Sequence, residues 1–168
     1  SQAWQVVLLS GHSFFKESLR QSTAAWLVFE SNDDRGETVA ARRLAEAFKG
    51  SQVQCVVVAT CQSGNFLATV REANLSLAIA QAGVPHVVGM REPLVDRAGS
   101  VFVQAFCVAL AQQARVDVAV QQGRRAMLNL LNYNEVWRDI QRPGSVDPSV
   151  GQWCLPLLLT RDPAQPLV

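Results

Sequence analysis

Val53-Gln54-Cys55-Val56-Val57-Val58-Ala59-Thr60, followed directly by Cys61-Gln62-Ser63-Gly64, carries the strongest strand signal in the chain. Its valines are continuous rather than alternating with polar residues, the pattern of a central strand buried on both faces of a parallel sheet. Upstream, Gln5-Val6-Val7-Leu8-Leu9, closed by Ser10-Gly11, predicts another buried strand. Ala25-Trp26-Leu27-Val28-Phe29 predicts a third, ending in the turn cluster Ser31-Asn32-Asp33-Asp34-Arg35-Gly36. A helix is expected next, with Thr38 as its N-cap, Val39, Arg42, Arg43, Ala45, Glu46 and Phe48 inside it, and Gly50 just past its end. Downstream, Leu75 to Ala82 predicts a helix stopped by Gly83, and Pro85 to Met90 the next strand. Ala98 to Gln113 and Val116 to Leu131 predict two helices with apolar residues spaced three and four apart. Trp153 to Thr160 reads as a last strand, which Pro156 places near an edge. This alternation of strand and helix predicts an α/β fold with a mainly parallel sheet sandwiched by helices. Asn132 to Gly151, polar and irregular with Pro143-Gly144 and Asp147-Pro148, is expected to be a mobile loop.

Composition narrows the function classes. A chain of 168 residues fits one domain spanning its whole length. Charged residues at 17% fall below the usual figure of about 25%, which points to a compact, core-heavy chain. Fifteen Lys and Arg against fourteen Asp and Glu leave a net charge of +1, so no electrostatic footprint for nucleic acid or an anionic membrane exists. Apolar runs such as Val56-Val57-Val58-Ala59 are far short of a membrane span. Gln2, Gln5, Ser10 and His12 interrupt any signal-peptide core, so a reduced, cytoplasmic protein is expected. The cysteines Cys55, Cys61, Cys107 and Cys154 are scattered, and no CxxC pair or HExxH motif occurs. With two histidines in all, neither a disulfide scaffold nor a metal site is expected.

Open α/β sheets react at the carboxyl ends of their strands. Two strands here end in chemically capable residues. The first delivers Ser10-Gly11-His12-Ser13 and the second Cys61-Gln62-Ser63-Gly64. If the two strands are neighbours, His12 and Cys61 face each other across one rim, and a thiol beside an imidazole is what a thiolate nucleophile requires. The amides of Cys61 and Ser13 can then donate to an oxyanion. The other thiols have plainer readings. Cys55 lies among valines, Cys107 falls on the apolar stripe of a helix, and Cys154 starts a strand, so all three are expected to be buried hydrophobes. His86 follows Pro85 at the amino end of a strand and is expected to be structural.

These residues bring a family into view. The chain resembles the CHAT domain, a caspase-like peptidase module of clan CD that often follows tetratricopeptide repeats. Trp4 to His12 looks like that family's strand leading into its catalytic histidine. Trp26-Leu27-Val28-Phe29-Glu30 with Asp33-Asp34-Arg35-Gly36 looks like its hairpin before the helix. Val56-Val57-Val58-Ala59-Thr60-Cys61-Gln62-Ser63-Gly64 is similar to the strand and turn carrying its nucleophile. Ala82 to Met90, then Pro93 and Asp96-Arg97-Ala98, resembles the segment after it, and Trp153 to Arg161 the closing strand. The separation of His12 and Cys61 along the chain is also similar to that in caspases.

The resemblance implies a cysteine endopeptidase with a Cys61–His12 dyad, an oxyanion held by the Ser13 and Cys61 amides, and no cofactor. It implies a protein or peptide substrate and gating by a tetratricopeptide-repeat or sensor domain or subunit, in a bacterial signalling or defence system. For the substrate residue before the cut, Asp96 implies a basic side chain and Arg91 an acidic one, while Glu92 beside Arg91 and an Asp96–Arg97 surface pair leave open a third reading with neither pocket formed. Two departures stand out. The family has Gly after the histidine where this chain has Ser13, whose β-carbon is disfavoured if the position needs positive φ. The fold also usually begins with further strands ahead of the histidine strand, so an exposed sheet edge needing a partner is expected. These departures motivate an alternative, a catalytically inactive caspase-like scaffold or interaction module. A flavodoxin-like hydrolase of small esters, again with Cys61 as nucleophile, is a third.

Overall fold

The computed structural model describes residues 5–18, 21–30, 36–60, 74–91, 94, 96–130, 151–162 and 167, with backbone alone for 12–18, 21–24, 30 and 96. Among the described residues two sheets and four helices are formed. The first sheet holds β1 (Val6–Ser10), β5 (Cys55–Ala59), β6 (His86–Met90) and β7 (Pro156–Thr160), in that spatial order. The second is an antiparallel meander of β2 (His12–Ser18), β3 (Gln21–Glu30) and β4 (Gly36–Ala40). The helices are α1 (Ala41–Phe48), α2 (Leu75–Gln81), α3 (Asp96–Ala111) and α4 (Val116–Leu130). The fold is α/β and caspase-like, with the mainly parallel sheet expected from the valine runs.

β1, β5 and β6 run parallel. Val6 pairs with Cys55 and the ladder continues to Ser10 opposite Ala59, while Cys55, Val56 and Val57 pair on the other side with His86, Val87 and Val88. β5 and β6 are the strands with buried residues throughout or nearly so, as continuous valine runs require. β7 closes the sheet. The Arg161 N–H donates to the Pro85 carbonyl at 3.1 Å and Thr160 Oγ1 lies 2.8 Å from His86 Nδ1. The carboxyl end of β7 therefore meets the amino end of β6, and this edge strand runs antiparallel to it. Pro156, with no N–H to donate, stands at its first position, where an edge strand tolerates it.

The chain divides into two compact units. The first holds β1 to β6, α1, α2 and the segment 157–162. Its core joins Ala25 and Leu27 of β3, Ala41 and Ala45 of α1, Val56 and Val58 of β5, Leu75 and Ile79 of α2, and Val84 and Val87. α2 starts where the Asn74 side chain accepts from the Leu77 N–H at 3.0 Å, and it stops at Gly83, whose φ of +119° lies where side chains are disfavoured. The second unit packs α3 against α4, with a 3-10 turn at Gln152–Cys154. At their contact Phe102, fully buried, lies against Gly123, and stacks on Phe106 with ring centroids 5.9 Å apart.

Several expectations are corrected. Thr38 and Val39 belong to β4, paired with Val28 and Leu27, so Thr38 is not the cap of α1; Ala40 stands there, without a side-chain cap. Pairing with β3 satisfies the backbone of 36–40 and overrides the capping signal. His12 to Ser18, where the sequence reading assigned no element, is a strand, because it finds β3 as a partner. Cys154 ends the 3-10 turn and is exposed, its Sγ donating to the Gly151 carbonyl at 2.8 Å, and β7 begins only at Pro156. Cys107 is exposed too, on the outer face of α3. Cys55 is buried as expected. The loop expected over 132–151 lies outside the described residues except for Gly151.

Candidate active site

The rim at the carboxyl ends of β1 and β5 is built by their register. Ser10 and Ala59 are opposite each other, so the chain leaves both strands at the same level. After Ser10 it turns at Gly11, where an added β-carbon would meet the Val28 carbonyl at 3.4 Å, and enters the second sheet at His12. His12 pairs with Val28 and Ser13 with Leu27. Ser13 is thus ordinary extended backbone. Among the described residues Gln113 is the only non-glycine with positive φ, so the feared strain of a β-carbon at Ser13 does not arise.

On the other strand the description ends at Thr60, which is 3% exposed. Cys61 itself lies outside the described residues, and with it the Cys61 amide of the expected oxyanion pair. Arg91 follows β6 directly and is exposed. Asp96 is the first residue of α3 and belongs to the second unit, whereas Arg91 belongs to the first. Among the described residues no cluster of His, Cys, Asp and Glu is assembled that could hold a metal ion, and no helix is long and apolar enough to cross a membrane.

His86 behaves as the sequence suggested. It is 1% exposed at the amino end of β6, away from the rim, with Nδ1 hydrogen-bonded to Thr160 Oγ1 at 2.8 Å. What sequence reasoning missed is that polar side chains of the first unit besides Thr60 are buried. Asn74 and Ser76, at the start of α2, are both buried. An asparagine immediately before the apolar Leu75 run is a recognisable cap signal. Nothing local reveals that Ser76 and Thr60 are buried as well.

The structure defines the class as an α/β domain with a mainly parallel sheet, in which His12 follows the carboxyl end of the first parallel strand. The sequence profile of the CHAT domain matches residues 1–164. The chain belongs to the CHAT domain family. No curated protein and no solved structure gives a significant match.

Proposed function

We propose that the protein is a cysteine endopeptidase domain in which His12 and Cys61 form the catalytic dyad. The observation that carries this reading is the register of β1 and β5: His12 and Cys61 each follow a directly paired couple, Ser10 and Ala59, by two residues. The Cys61 thiolate attacks the scissile carbonyl, and the amides of Cys61 and Ser13 bind the oxyanion. His12 passes its proton to the leaving amine as the C–N bond breaks, leaving an acyl thioester. It then takes a proton from the water that hydrolyses the thioester. Neither step needs a metal or cofactor. The substrate is a protein or peptide in the cytoplasm, and a tetratricopeptide-repeat or sensor domain or subunit gates access in a bacterial signalling or defence setting.

At the residue before the cut, Asp96 favours Arg or Lys and Arg91 favours Asp. A panel of fluorogenic peptides ending in Arg, Lys, Asp or Leu decides between them, and cleavage after Asp sinks the Asp96 assignment. Cys61→Ala abolishes turnover, and His12→Ala lowers it by the roughly 10²- to 10⁴-fold that acid–base catalysis supplies. If Cys61 reacts with a peptide affinity probe no faster than a free thiol, the dyad is wrong and the inactive scaffold is the correct reading. Turnover of small esters without peptides selects the small-molecule hydrolase instead.

A further inference from the structure

Helix α4 has two sides of different character. Val116, Ala119, Val120, Gly123 and Met127 are buried, and Gly123 lies against Phe102 of α3. Half a turn round the helix, Val118, Gln121, Gln122, Arg125 and Leu128 are exposed. Val118, Gln121, Arg125 and Leu128 follow one another at intervals of three, four and three residues, the spacing of a seam along which two helices pack. Both ends of that stripe are apolar, with Val118 42% and Leu128 36% exposed. An open groove of about 280 Å³ runs here, lined by Asp117, Val118, Gln121, Gln122 and Arg125. Charge along the stripe is ordered as well. Asp117 stands at its amino end, where the carboxylate meets the Arg115 guanidinium at 2.6 Å yet keeps 33% of the side chain exposed. Arg125, about two turns further on, makes no ion pair among the described residues. The residues of the stripe between them carry no charge.

We propose that this face of α4 is a self-association surface, on which a second copy of the chain docks through the same stripe, antiparallel and two-fold symmetric. The order of the charges selects both partner and direction. Two such helices set side by side in parallel put Asp117 against Asp117 and Arg125 against Arg125. Turned end for end about an axis level with residue 123, each Val118 meets a Leu128 and each Gln121 an Arg125. Each Asp117 then lies about one turn from an Arg125 of the other copy, a gap the long arginine side chain spans, so acid and base are matched at both ends. At 1.5 Å per residue the stripe is about 15 Å long, and one helix pair of that length buries less than the roughly 1,200 Å² of a standard stable interface. The dimer is therefore weak and reversible, formed when the local concentration is high. It does not rest on the peptidase reading of Cys61.

The test is analytical sedimentation of the full chain from low micromolar to millimolar concentration, under reductant so that the exposed Cys107 and Cys154 form no cross-link. The wild type is expected to pass from monomer to dimer as concentration rises. Arg125→Glu brings a carboxylate near Asp117 of the other copy, and Gln121→Arg brings a guanidinium against its Arg125. Each is expected to weaken the dimer about tenfold or more, because like charges then face each other across the axis. Both positions are exposed, so urea midpoints are expected to stay at the wild-type value. Mixed in equal amounts, the two variants are expected to form a dimer again, since the new carboxylate of one faces the new guanidinium of the other. A chain that stays monomeric throughout overturns the proposal and leaves the face to a different partner. A dimer that neither substitution weakens is held by another surface and overturns it too. Weakening in both variants without recovery in the mixture overturns the antiparallel docking.

Discussion

Gly123→Ala sets two effects of opposite sign against each other, and the geometry says which prevails. In an isolated helix the change favours folding by roughly 1 kcal/mol, because alanine loses less backbone entropy than glycine. In α4 the new β-carbon would stand 2.5 and 2.6 Å from Cδ2 and Cε2 of Phe102, and 3.1 Å from the Phe102 carbonyl oxygen. Carbon atoms pack comfortably at about 3.5–4.0 Å, so the ring must retreat by about 1 Å. It has no free space to enter, since Phe102 is 0% exposed and already stacks on Phe106. Overpacking of this kind costs about 1–3 kcal/mol, and two ring contacts with one backbone contact put this case in the upper half. The expected outcome is a net loss of about 1–2 kcal/mol, or a fall in Tm of roughly 2–8 °C for a chain of this size. Urea and thermal unfolding followed by circular dichroism measure it. In a Phe102→Leu background the ring is gone, and the cost of Gly123→Ala is expected to shrink by about 1 kcal/mol or more, a coupling between contacting residues. If Gly123→Ala raises the midpoint by the helix-propensity increment, the close approach of α3 and α4 is refuted.

Three further outcomes are expected. Thr160→Val takes the hydroxyl from the buried His86 Nδ1 and is expected to lower stability by about 1–3 kcal/mol, with Thr160→Ser close to wild type; an unchanged urea midpoint in Thr160→Val shows that this side-chain hydrogen bond does not help hold β7 to β6. At the start of α4, partial burial pushes the Asp117 carboxyl up, but the hydrogen bond from the Arg115 guanidinium and that from the Val118 N–H outweigh it and hold it below the ordinary carboxylate range. Its small stabilising contribution is therefore present above about pH 3.9, the unfolded value, and is lost as pH falls through the lower folded one. Titration of Asp117 by NMR in Arg115→Gln should show the carboxyl moving back up, and no movement would exclude Arg115 as the cause. Iodoacetamide on the folded protein should label Cys107 and Cys154 and spare Cys55 until urea is added, with Cys107 slowed at neutral pH because desolvation pushes its thiol up. Labelling of Cys55 in the native state would contradict its place in the core strand.

Much of the first sheet was legible because its signals are local. Val56-Val57-Val58 and Val87-Val88 are apolar without interruption, and only a strand covered on both faces buries such a run. Leu75 onward carries its own cap and its own stop, Asn74 and Gly83, within one short stretch. The second sheet was not legible in this way. His12 to Ser18 mixes Phe14 and Phe15 with Lys16 and Glu17, and what makes it a strand is the neighbouring β3 rather than its own pattern. Thr38 shows the same thing in reverse, a good helix cap in isolation that pairing with Val28 turns into a strand residue. For the candidate site, the sequence named His12 and Cys61 and left open whether their strands touch. The parallel ladder from Val6–Cys55 to Ser10–Ala59 supplies that adjacency.

The sequence by itself determined the α/β class, the family, the central valine strands and the one cysteine placed at a strand end, since each depends on residues a few positions apart. Only the tertiary structure decided that β1 lies beside β5, that Ser13 sits in unstrained extended backbone, that Cys107 and Cys154 face outward, and that Gly123 must stay small. Those outcomes depend on contacts between residues tens of positions apart, or on which side of a helix finds cover. The physical reason is that burial and register are properties of pairs of elements, and one element read alone carries only half of each pair.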